Sequence, residues 1–320
     1  MRAVRVEAHG GPEVLLPADV AEPEPGDDDV LVDVGAVGVN YIDTYVRSGL
    51  YPATLPTVPG LEGAGTVVAV GSGVSDVAVG DRVAFSDGPG TYAQRAAIPA
   101  ARVVPVPDAV PTELAAASLL QGMTAHYLVH NTHPVVPGDE VLVHAGAGGM
   151  GLLLCRMAST LGATVIATTS TEAKGELARG AGAHHVLPYE GFAERVRELT
   201  EGRGVAVVYD GVGATTFDGS LASLRPRGLL ALFGSASGPV PPVDPRRLMT
   251  GGSLVLTRPT MGDFLRTADE RAARYREVLD AVATGTLEVR IGATFRLADA
   301  ADAHRALEGR GTTGKVLLAG

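Results

Sequence analysis

The sequence predicts an α/β protein that combines a β-rich domain of barrel-like character with a doubly wound parallel sheet. A short apolar run at residues 141–143 is followed by a glycine-rich turn and then by a helical stripe. From about residue 119 onward, strand candidates alternate with helical segments, whereas the earlier residues form short alternating runs rich in Val, Gly and Pro. We therefore expect residues 1–118 and 258–320 to form one domain and residues 119–257 the other.

The first part of the chain contains short segments that alternate like strands and end at turn residues. They are residues 1–6, 30–34, 65–70 and 81–85. At the other end of the chain, the sequence predicts a helix near residues 269–283, then a helical segment at 303–308 and a strand at 315–318. This tail has too little apolar core to fold alone, so we expect it to return and complete the first domain.

The second part repeats a pattern of strand and helix. Its strand candidates are residues 141–143, 164–168, 185–187, 205–209, 229–233 and 254–256. The amphipathic segments between them lie near residues 171–179, 192–199 and 215–224. Strands that are connected by helices form parallel sheets covered on both faces, which is the doubly wound arrangement.

The glycine-rich turn after the first of these strands predicts a dinucleotide site. Gly146, Gly148 and Gly151 fit the pattern G-x-G-x-x-G, and a helical stripe of apolar residues begins at Met150. The first glycine allows the tight turn, the second lets the backbone approach a pyrophosphate, and the third lets helix and strand pack closely. The N-terminus of the helix then offers N–H groups and the positive end of its dipole to the phosphates.

Composition narrows the class of protein. The chain has 320 residues, a formal net charge of −10 and a single cysteine, Cys155. The negative charge argues against nucleic acid as the main partner. One cysteine allows neither an internal disulfide nor a thiolate cluster for zinc. Because no stretch resembles a signal peptide or an apolar membrane span, we expect a cytoplasmic protein with no membrane partner.

The end of the second strand of the predicted sheet indicates which dinucleotide binds. NAD-selective sites usually place Asp or Glu there to hold the ribose 2′-OH. Here the strand ends in a run of Thr and Ser that includes Ser170, with no acid at its tip, and Lys174 follows. Small hydroxyls and a cation suit a 2′-phosphate, and Tyr189, beyond the third strand, is placed to reach the same ribose. We therefore predict NADP(H) rather than NAD(H).

Several short motifs occur in the order found in one known family. They are Asn-Tyr-Ile-Asp-Thr-Tyr-Val-Arg-Ser-Gly-Leu-Tyr-Pro at 40–52, Pro-Gly-Leu-Glu-Gly-Ala-Gly at 59–65, Gly-Asp-Arg-Val at 80–83, Gln-Gly-Met-Thr-Ala at 121–125, Val-Tyr-Asp-Gly-Val-Gly at 208–213 and Phe-Gly-Ser-Ala-Ser at 233–237. They closely resemble the signature of NADPH:quinone oxidoreductases, the zinc-independent, zeta-crystallin-like branch of the medium-chain dehydrogenase/reductases. The resemblance covers essentially the whole chain. It implies a GroES-like catalytic domain, closed by the C-terminal tail, around an inserted Rossmann domain.

The same comparison indicates that no metal is used. The zinc-dependent relatives carry Cys near the position of Asn40, and Gly-His-Glu where this chain has Gly60, Leu61 and Glu62. The chain also lacks the four-cysteine structural lobe. Without thiolate and imidazole ligands a catalytic zinc is not expected, which disfavours alcohol oxidation through a zinc-bound alkoxide. We expect Glu62 to be a structural carboxylate.

The resemblance also implies a set of site residues, with the cofactor in the cleft between the domains. The nicotinamide end is assigned to Asn40, Tyr41, Tyr45 and Thr124, and the pyrophosphate to Gly148, Gly149, Met150 and Gly151. The adenosine 2′-phosphate is assigned to Ser170, Lys174 and Tyr189. Further contacts are assigned to Phe233, Gly234 and Ser235, which follow the fifth strand, and to Arg258 and Lys315.

The implied reaction is hydride transfer from NADPH to a small quinone. The cofactor supplies the hydride, and the protein orients the reactants and excludes water. Because the product oxyanion of a quinone is not very basic, no strong general acid is needed. Hydrogen bonds from Asn40 or Tyr45 would stabilise the developing charge. Asp43 either orients Tyr45 or caps a helix, and the sequence does not separate hydride transfer from one-electron transfer.

Two other functions stay open at this point. One is reduction of the C=C bond of an enone or enoyl thioester by an enzyme of the same fold, since quinones and enones are both flat conjugated acceptors. The other is a non-catalytic NADPH- or RNA-binding protein, although the acidic charge argues against RNA. We also predict a homodimer, because residues 253–256 form an apolar edge strand of the cofactor sheet that invites pairing with a second copy.

Overall fold

A computed structural model of the chain describes residues 1–319. The chain separates into two compact units, which we call unit 1 (residues 1–121 and 266–319) and unit 2 (residues 122–265). The sequence analysis placed the boundaries between the catalytic and cofactor-binding domains at 118/119 and 257/258, and those boundaries stay a prediction.

The strands, in chain order, are β1 (Arg2–Arg5), β2 (Leu16–Asp19), β3 (Asp29–Val39), β4 (Glu62–Val70), β5 (Arg82–Phe85), β6 (Arg95–Pro99), β7 (Val104–Pro105), β8 (Glu140–Val143), β9 (Thr164–Thr168), β10 (His185–Leu187), β11 (Val205–Asp210), β12 (Leu224–Leu232), β13 (Val255–Thr257), β14 (Ile291–Arg296) and β15 (Lys315–Ala319). The α-helices are α1 (Tyr41–Ser48), α2 (Thr112–Tyr127), α3 (Gly149–Thr160), α4 (Glu172–Gly180), α5 (Phe192–Leu199), α6 (Phe217–Ser223), α7 (Arg246–Thr250), α8 (Ala268–Ala283) and α9 (Ala300–Glu308).

Unit 2 is built on a parallel sheet with the strand order β10-β9-β8-β11-β12-β13. In order of appearance along the chain this is 3-2-1-4-5-6, the order of a doubly wound dinucleotide-binding sheet. The fold class predicted for this part is confirmed. Its core contains apolar side chains from strands and helices, including Leu142, Ile166, Val208, Phe217 and Leu230.

The register of this sheet brings the carboxyl ends of its central strands together. Val143 at the end of β8 lies opposite Ala167 of β9 on one side and Tyr209 of β11 on the other. The residues that follow these strands therefore meet at one edge of the sheet, where open α/β sheets bind their ligands.

Unit 1 contains a largely antiparallel sheet in the order β14-β15-β3-β4-β5-β7, with β6 also paired to β3. The tail pairs with strands of this unit: β15 runs antiparallel to β3, with Val316 opposite Val39, and parallel to β14. The buried residues Val4, Val39, Tyr92, Ala303 and Leu318 share one core, so the first strand, the tail and α9 are packed together.

Some elements lie outside the sequence prediction. The helices α1, α2 and α7 and the hairpin of β1 with β2 were not predicted as such, and a π-helical turn, Leu128–Thr132, follows α2 directly. β12 begins at Leu224, earlier than the predicted start at residue 229. Within residues 1–319 no helix combines the length and the apolar character needed to cross a membrane.

Candidate functional site

The glycine-rich turn connects β8 to α3 in unit 2. Gly148 is the N-cap residue of α3, and the helix begins at Gly149. A Cβ atom on Gly151 would lie 2.7 Å from the Cα atom of Gly146, so only glycine lets the first turn of α3 pack against the preceding loop. The first N–H groups of α3, including that of Met150, have no acceptor within the helix, which is the arrangement that binds a pyrophosphate.

A buried polar chain underlies this turn. The Nδ1 atom of His144 lies 2.9 Å from the Thr168 hydroxyl, its Nε2 atom lies 2.9 Å from the Ser220 hydroxyl, and Ser220 donates to Asp210 at 2.7 Å. Since Ser220 gives its proton to Asp210, it must accept from His144, which fixes the imidazole as the Nε2–H tautomer. Burial lowers the pKa of His144 and so keeps the ring neutral.

Asp210 also orders the loop that follows β11. Its Oδ1 atom accepts hydrogen bonds from the backbone N–H groups of Val212 at 2.8 Å and Gly213 at 2.9 Å, and both carboxylate oxygens contact the Thr216 hydroxyl. Asp210 and His144 are both buried. Sequence reasoning did not identify this pair as a site feature. The available signal was a polar residue at the carboxyl end of each strand, His144 directly after β8 and Asp210 as the last residue of β11.

The residues predicted for the adenosine 2′-phosphate lie at and beyond the end of β9. Thr171 caps α4, and its hydroxyl accepts from the backbone N–H of Lys174 at 3.3 Å. Ser170 is exposed and Lys174 is half-buried. The acid in this region, Glu172, is bound by Arg179 at 2.6 Å, which lowers the pKa of Glu172 and partly neutralises its charge.

Tyr189 is brought back to the glycine-rich turn. Its hydroxyl accepts a hydrogen bond from the backbone N–H of Ala145 at 3.1 Å, and its ring lies nearly parallel to that of His144 with centroids 6.2 Å apart. The structure thus joins Tyr189, which was assigned to the 2′-phosphate, to the glycine-rich turn that was assigned to the pyrophosphate.

Arg258 organises the loop that follows β12. Its Nη1 atom donates to the carbonyl oxygens of Leu232 at 2.9 Å and Gly234 at 2.8 Å, and its Nη2 atom lies 3.4 Å from the Ser235 hydroxyl. Phe233 donates its N–H to the carbonyl oxygen of Asp210 at 2.9 Å. The three predicted residues after the fifth strand and Arg258 therefore lie together in unit 2.

Thr124 lies on α2, close to the start of the π-helical turn. It is hydrogen-bonded to Tyr127, whose ring stacks on Phe264 with centroids 4.3 Å apart and an interplanar angle of 1°. Burial raises the pKa of Tyr127 to about 12, and the hydrogen bond with Thr124 and the charge of Arg258 oppose that rise. The surroundings of Thr124 thus include Arg258, a link that the sequence did not suggest.

In unit 1, Asn40 stands at the head of α1 with its side chain enclosed. Its Nδ2 atom donates to the carbonyl oxygen of Gly38 at 3.1 Å and to Glu62 at 2.9 Å, and its Oδ1 atom accepts from Lys315 at 2.7 Å. Both amide hydrogens are therefore engaged within the protein. A direct hydrogen bond from this amide to a quinone oxygen, as the sequence suggested, would require one of these contacts to break.

Glu62 and Lys315 form a buried ion pair. Their charged atoms lie 2.6 Å apart, with side chains 0% and 1% exposed, and the other oxygen of Glu62 accepts the backbone N–H of Leu120 at 2.8 Å. Glu62 thus has the structural contacts expected of it. The ammonium group of Lys315 is enclosed by Asn40 and Glu62, and its predicted contact with the cofactor stays a prediction.

The tyrosines of α1 belong to an aromatic cluster. The ring of Tyr45 lies 6.2 Å from that of Tyr41 and 5.3 Å from that of Tyr51, and the Tyr41 hydroxyl donates to the carbonyl oxygen of Leu307 at 3.0 Å. Tyr45 is buried. The sequence prediction did not include Tyr51, although it belongs to the same motif.

Asp43 is the helix-capping residue of the two roles considered for it. Its Oδ2 atom accepts the backbone N–H of Asn40 at 2.8 Å and the hydroxyl of Tyr92 at 3.1 Å. Burial raises the pKa of Asp43 to about 7, while these hydrogen bonds and the charge of Lys315 oppose the rise.

Comparison with known proteins places the chain among oxidoreductases. The profile "Alcohol dehydrogenase GroES-like domain" matches residues 26–108, and "Zinc-binding dehydrogenase" matches residues 149–284. "Quinone oxidoreductase" of Pseudomonas aeruginosa is 44% identical over 321 residues, 99% of each chain. "2-haloacrylate reductase" of a Burkholderia species is 42% identical over 99% of this chain and 98% of its own length. A mycobacterial protein solved in complex with NADPH is 52% identical, with a TM-score of 0.98 and 100% coverage of both chains.

These similarities agree with the motifs and with the fold. The first match lies within the β-rich part, whereas the second begins in the glycine-rich turn and extends beyond residue 257. The predicted GroES-like and Rossmann fold class is confirmed. Within residues 1–319, no group of three His, Cys, Asp or Glu side chains is arranged to hold a metal ion. The chain belongs to the quinone oxidoreductase family of the medium-chain dehydrogenase/reductases.

Proposed function

We propose that this protein is a zinc-independent oxidoreductase that uses NADPH to reduce small quinones. The observation that carries the proposal is the end of β9 beside the glycine-rich turn: a strand that ends without an acid, followed by Ser170, the cap residue Thr171 and Lys174. Hydroxyl groups and an ammonium group without a nearby acid at the strand end suit a 2′-phosphate. The full-length similarity to quinone oxidoreductases supports the acceptor.

The residues of unit 2 fit the cofactor. The close approach of Gly151 to Gly146 leaves backbone N–H groups for the pyrophosphate, and no carboxylate at the tip of β9 repels a third phosphate. In this proposal Gly148, Gly149, Met150 and Gly151 hold the pyrophosphate, and Ser170, Lys174 and Tyr189 hold the 2′-phosphate. Thr124, Phe233, Gly234, Ser235 and Arg258 complete the contacts in this unit. The bound cofactor would supply a hydride.

The residues of unit 1 would orient the acceptor. We assign the hydrogen bond to the quinone oxygen to the Tyr45 hydroxyl, because the amide hydrogens of Asn40 are already engaged by Gly38 and Glu62. Asn40 and Lys315 then act as positioning residues, and Tyr41 borders the same cluster. Because the developing oxyanion is weakly basic, one neutral donor is sufficient to stabilise it.

The test is a comparison of acceptors and of cofactors. We expect rapid oxidation of NADPH with 1,4-benzoquinone, slower oxidation of NADH, and little turnover of crotonyl-CoA or alkenals with either. Absence of NADPH binding in a fluorescence titration would overturn the proposal, and so would stoichiometric zinc in the active protein.

A second candidate is reduction of an activated C=C bond. It is favoured by the 42% identity to a 2-haloacrylate reductase over nearly the full length of both chains. A higher kcat/KM with a 2-haloacrylate or an enone than with 1,4-benzoquinone would select it.

A non-catalytic NADPH- or RNA-binding protein would show nucleotide affinity without turnover, and a gel shift with AU-rich RNA would reveal the RNA-binding form.

We further propose a cytoplasmic homodimer in which the edge strand β13 of unit 2 pairs with its counterpart in a second copy. β13 has β12 as its neighbour at one side of the sheet order and ends that order at the other. Val255 on this strand is 47% exposed, and Met249 on the preceding α7 is 66% exposed. An apolar sheet edge of this kind favours pairing. Neither nucleic acid nor membrane is part of this proposal.

A further inference from the structure

A second buried chain of hydrogen bonds lies in unit 1 and ends at Asp43. The Nη1 atom of Arg47 lies 3.1 Å from Nδ1 of His304, and Nε2 of His304 lies 2.9 Å from the hydroxyl of Tyr92. The Tyr92 hydroxyl lies 3.1 Å from Oδ2 of Asp43, which also accepts the backbone N–H of Asn40. The side chains come from α1, from the loop before β6 and from α9, and all are buried.

The direction of this chain follows from the chemistry of its first member. A guanidinium group only donates hydrogen bonds, so Nδ1 of His304 must accept from Arg47. The proton of the neutral imidazole is therefore on Nε2, and it is donated to the oxygen of Tyr92. The Tyr92 hydroxyl then has its own proton to give to Asp43. Each of the three hydrogen bonds therefore has one donor and one acceptor only when Oδ2 of Asp43 carries no proton.

Arg47, at the end of this series of hydrogen bonds remote from Asp43, does not allow proton transfer along it. Arg47 binds Glu308 through two hydrogen bonds of 3.0 and 2.7 Å, and its Nε atom donates to the carbonyl oxygen of Gly10 at 3.1 Å. Because an arginine keeps its protons at any pH compatible with folding, it interrupts transfer between solvent and His304. The chain is suited to fixing an orientation, not to moving a proton.

We propose that Tyr92 and His304 are positioning residues for the reduction of the acceptor: they hold Asp43 as the acceptor that caps α1, and thereby fix Asn40 and Tyr45. This inference rests on the proposed function of those two residues. It extends the site to α9, which also accepts the hydroxyl of Tyr41 at the carbonyl oxygen of Leu307.

The charges around Asp43 make the proposal measurable. Burial raises the pKa of Asp43 to about 7 and the charge of Glu62 adds to the rise, whereas the hydrogen bonds from Asn40 and Tyr92 and the charge of Lys315 lower it. His304 and Arg47 face the same group through Tyr92. Protonation of Asp43 on the acid side of neutrality should therefore reverse the last link and weaken the cap. Activity should fall as the pH is lowered through this range.

The first experiment compares pH profiles of kcat/KM for the wild type and Tyr92→Phe, His304→Leu and His304→Gln. Loss of the Tyr92 hydroxyl removes a donor to the carboxylate, so Y92F should move the acid limb upward by roughly half to one pH unit. H304L should move it in the same direction. H304Q should keep the wild-type profile, because an amide oxygen accepts from Arg47 and an amide N–H donates to Tyr92.

Two outcomes would overturn the proposal. One is an acid limb that stays in place in both Y92F and H304L. The other is a shift in H304Q as large as that in H304L, which would indicate a general packing effect. The affinity for NADPH, whose phosphate contacts are proposed in unit 2, should change less than twofold in all three variants. Far-UV circular dichroism and the urea unfolding midpoint, which report on both units, serve as the check on folding.

A second measurement does not depend on turnover. Long-range ¹H–¹⁵N spectra of the histidine rings should show one imidazole, absent from H304Q, that is the Nε2–H tautomer and stays neutral from pH 5 to 9, because burial lowers the pKa of His304 to about 3. A proton on Nδ1 of His304, or titration of His304 near pH 6.5, would contradict the proposed series of hydrogen bonds from Arg47 to Asp43. If the wild type failed to reduce any acceptor with NADPH, the proposed function would be wrong. The spectrum would still test the hydrogen bonds of His304 independently.

Discussion

The two lysines of this chain have opposite surroundings, and they show how a residue's contacts decide its role. Lys315 is buried and paired with Glu62, whereas Lys174 is half-buried in the first turn of α4. A buried ion pair need not stabilise a protein compared with an apolar pair, but removal of one partner leaves an uncompensated charge. The two positions therefore give matched tests of structure and of binding.

Lys315→Met should lower the free energy of unfolding by about 3–5 kcal/mol, because the Glu62 carboxylate would remain buried without its cation. Urea denaturation monitored by circular dichroism measures the loss. Lys174→Met is the control and should change stability by less than about 0.5 kcal/mol. The double variant E62Q/K315M, which removes both charges, should lose less than K315M alone; an equal or larger loss would mean that the ion pair is not the cause.

Lys174→Ala should weaken NADPH binding by about 10- to 100-fold, the effect of losing a charge-assisted hydrogen bond to a phosphate. The affinity for NADH should change less than about twofold. Isothermal titration with both nucleotides measures the two effects, and K174R should retain most of the selectivity. Equal losses for NADPH and NADH would show that the 2′-phosphate binds elsewhere.

From the sequence, single residues could be assigned a place in the site only where they belong to a local motif. Gly148, Gly151 and Ser170 could be placed because strand, turn and helix follow one another along the chain. The partners of Asn40 could not, because Lys315 is 275 residues away and reaches it only through the pairing of β15 with β3. The ion pair of Lys315 with Glu62 could not be predicted for the same reason, and the cofactor contact suggested for Lys315 stays a prediction.

At the scale of elements, hydrophobic periodicity located most strands of unit 2 and the helices that have one polar face. The predicted segment at 192–199 coincides with α5, whereas the segment at 215–224 is shorter in the structure, where α6 is Phe217–Ser223. α2 was missed because residues such as Ala115, Ala116 and Ala117 are buried and give no alternation of apolar and polar faces.

The edge strand β13 gives a prediction at this scale. Val255→Lys should place a charge on the exposed edge of the sheet and convert the proposed dimer to a monomer, because natural edges use lysine to prevent pairing. Light scattering at micromolar protein concentration measures the mass. Val79→Lys, at an equally apolar and 62% exposed position of unit 1, is the control and should leave the mass unchanged. A wild type that is already monomeric would contradict the proposal.

At the scale of the whole molecule, the two units need not respond equally to the cofactor. Ligand at 100 times its dissociation constant should stabilise the protein that binds it by about 2.7 kcal/mol, and the phosphate contacts proposed here all belong to unit 2. We expect NADPH to raise the melting temperature by several degrees in differential scanning calorimetry, and NADH at the same concentration to raise it less. A scan unchanged by saturating NADPH would contradict the proposed site.

The overall fold was predictable because its two patterns differ. Strands joined by helices indicate a parallel sheet, while alternating strands joined by glycine turns indicate an antiparallel one, and the chain changes from one to the other near residue 119. The order of the strands in unit 1 was not predictable in this way. Its sheet joins β3 to β15 across nearly the whole chain, and no local pattern specifies such a partner.

That long-range pairing has a consequence for biosynthesis. Residues 36–39 of β3 present an open edge until β15 pairs with them, and β15 is synthesised long after β3. Every strand of unit 2 emerges earlier, so the nucleotide-binding half can form co-translationally while the half that carries Asn40 and Glu62 waits. A nascent chain stalled before residue 315 would therefore bind NADPH-like ligands yet expose a sheet edge that chaperones recognise.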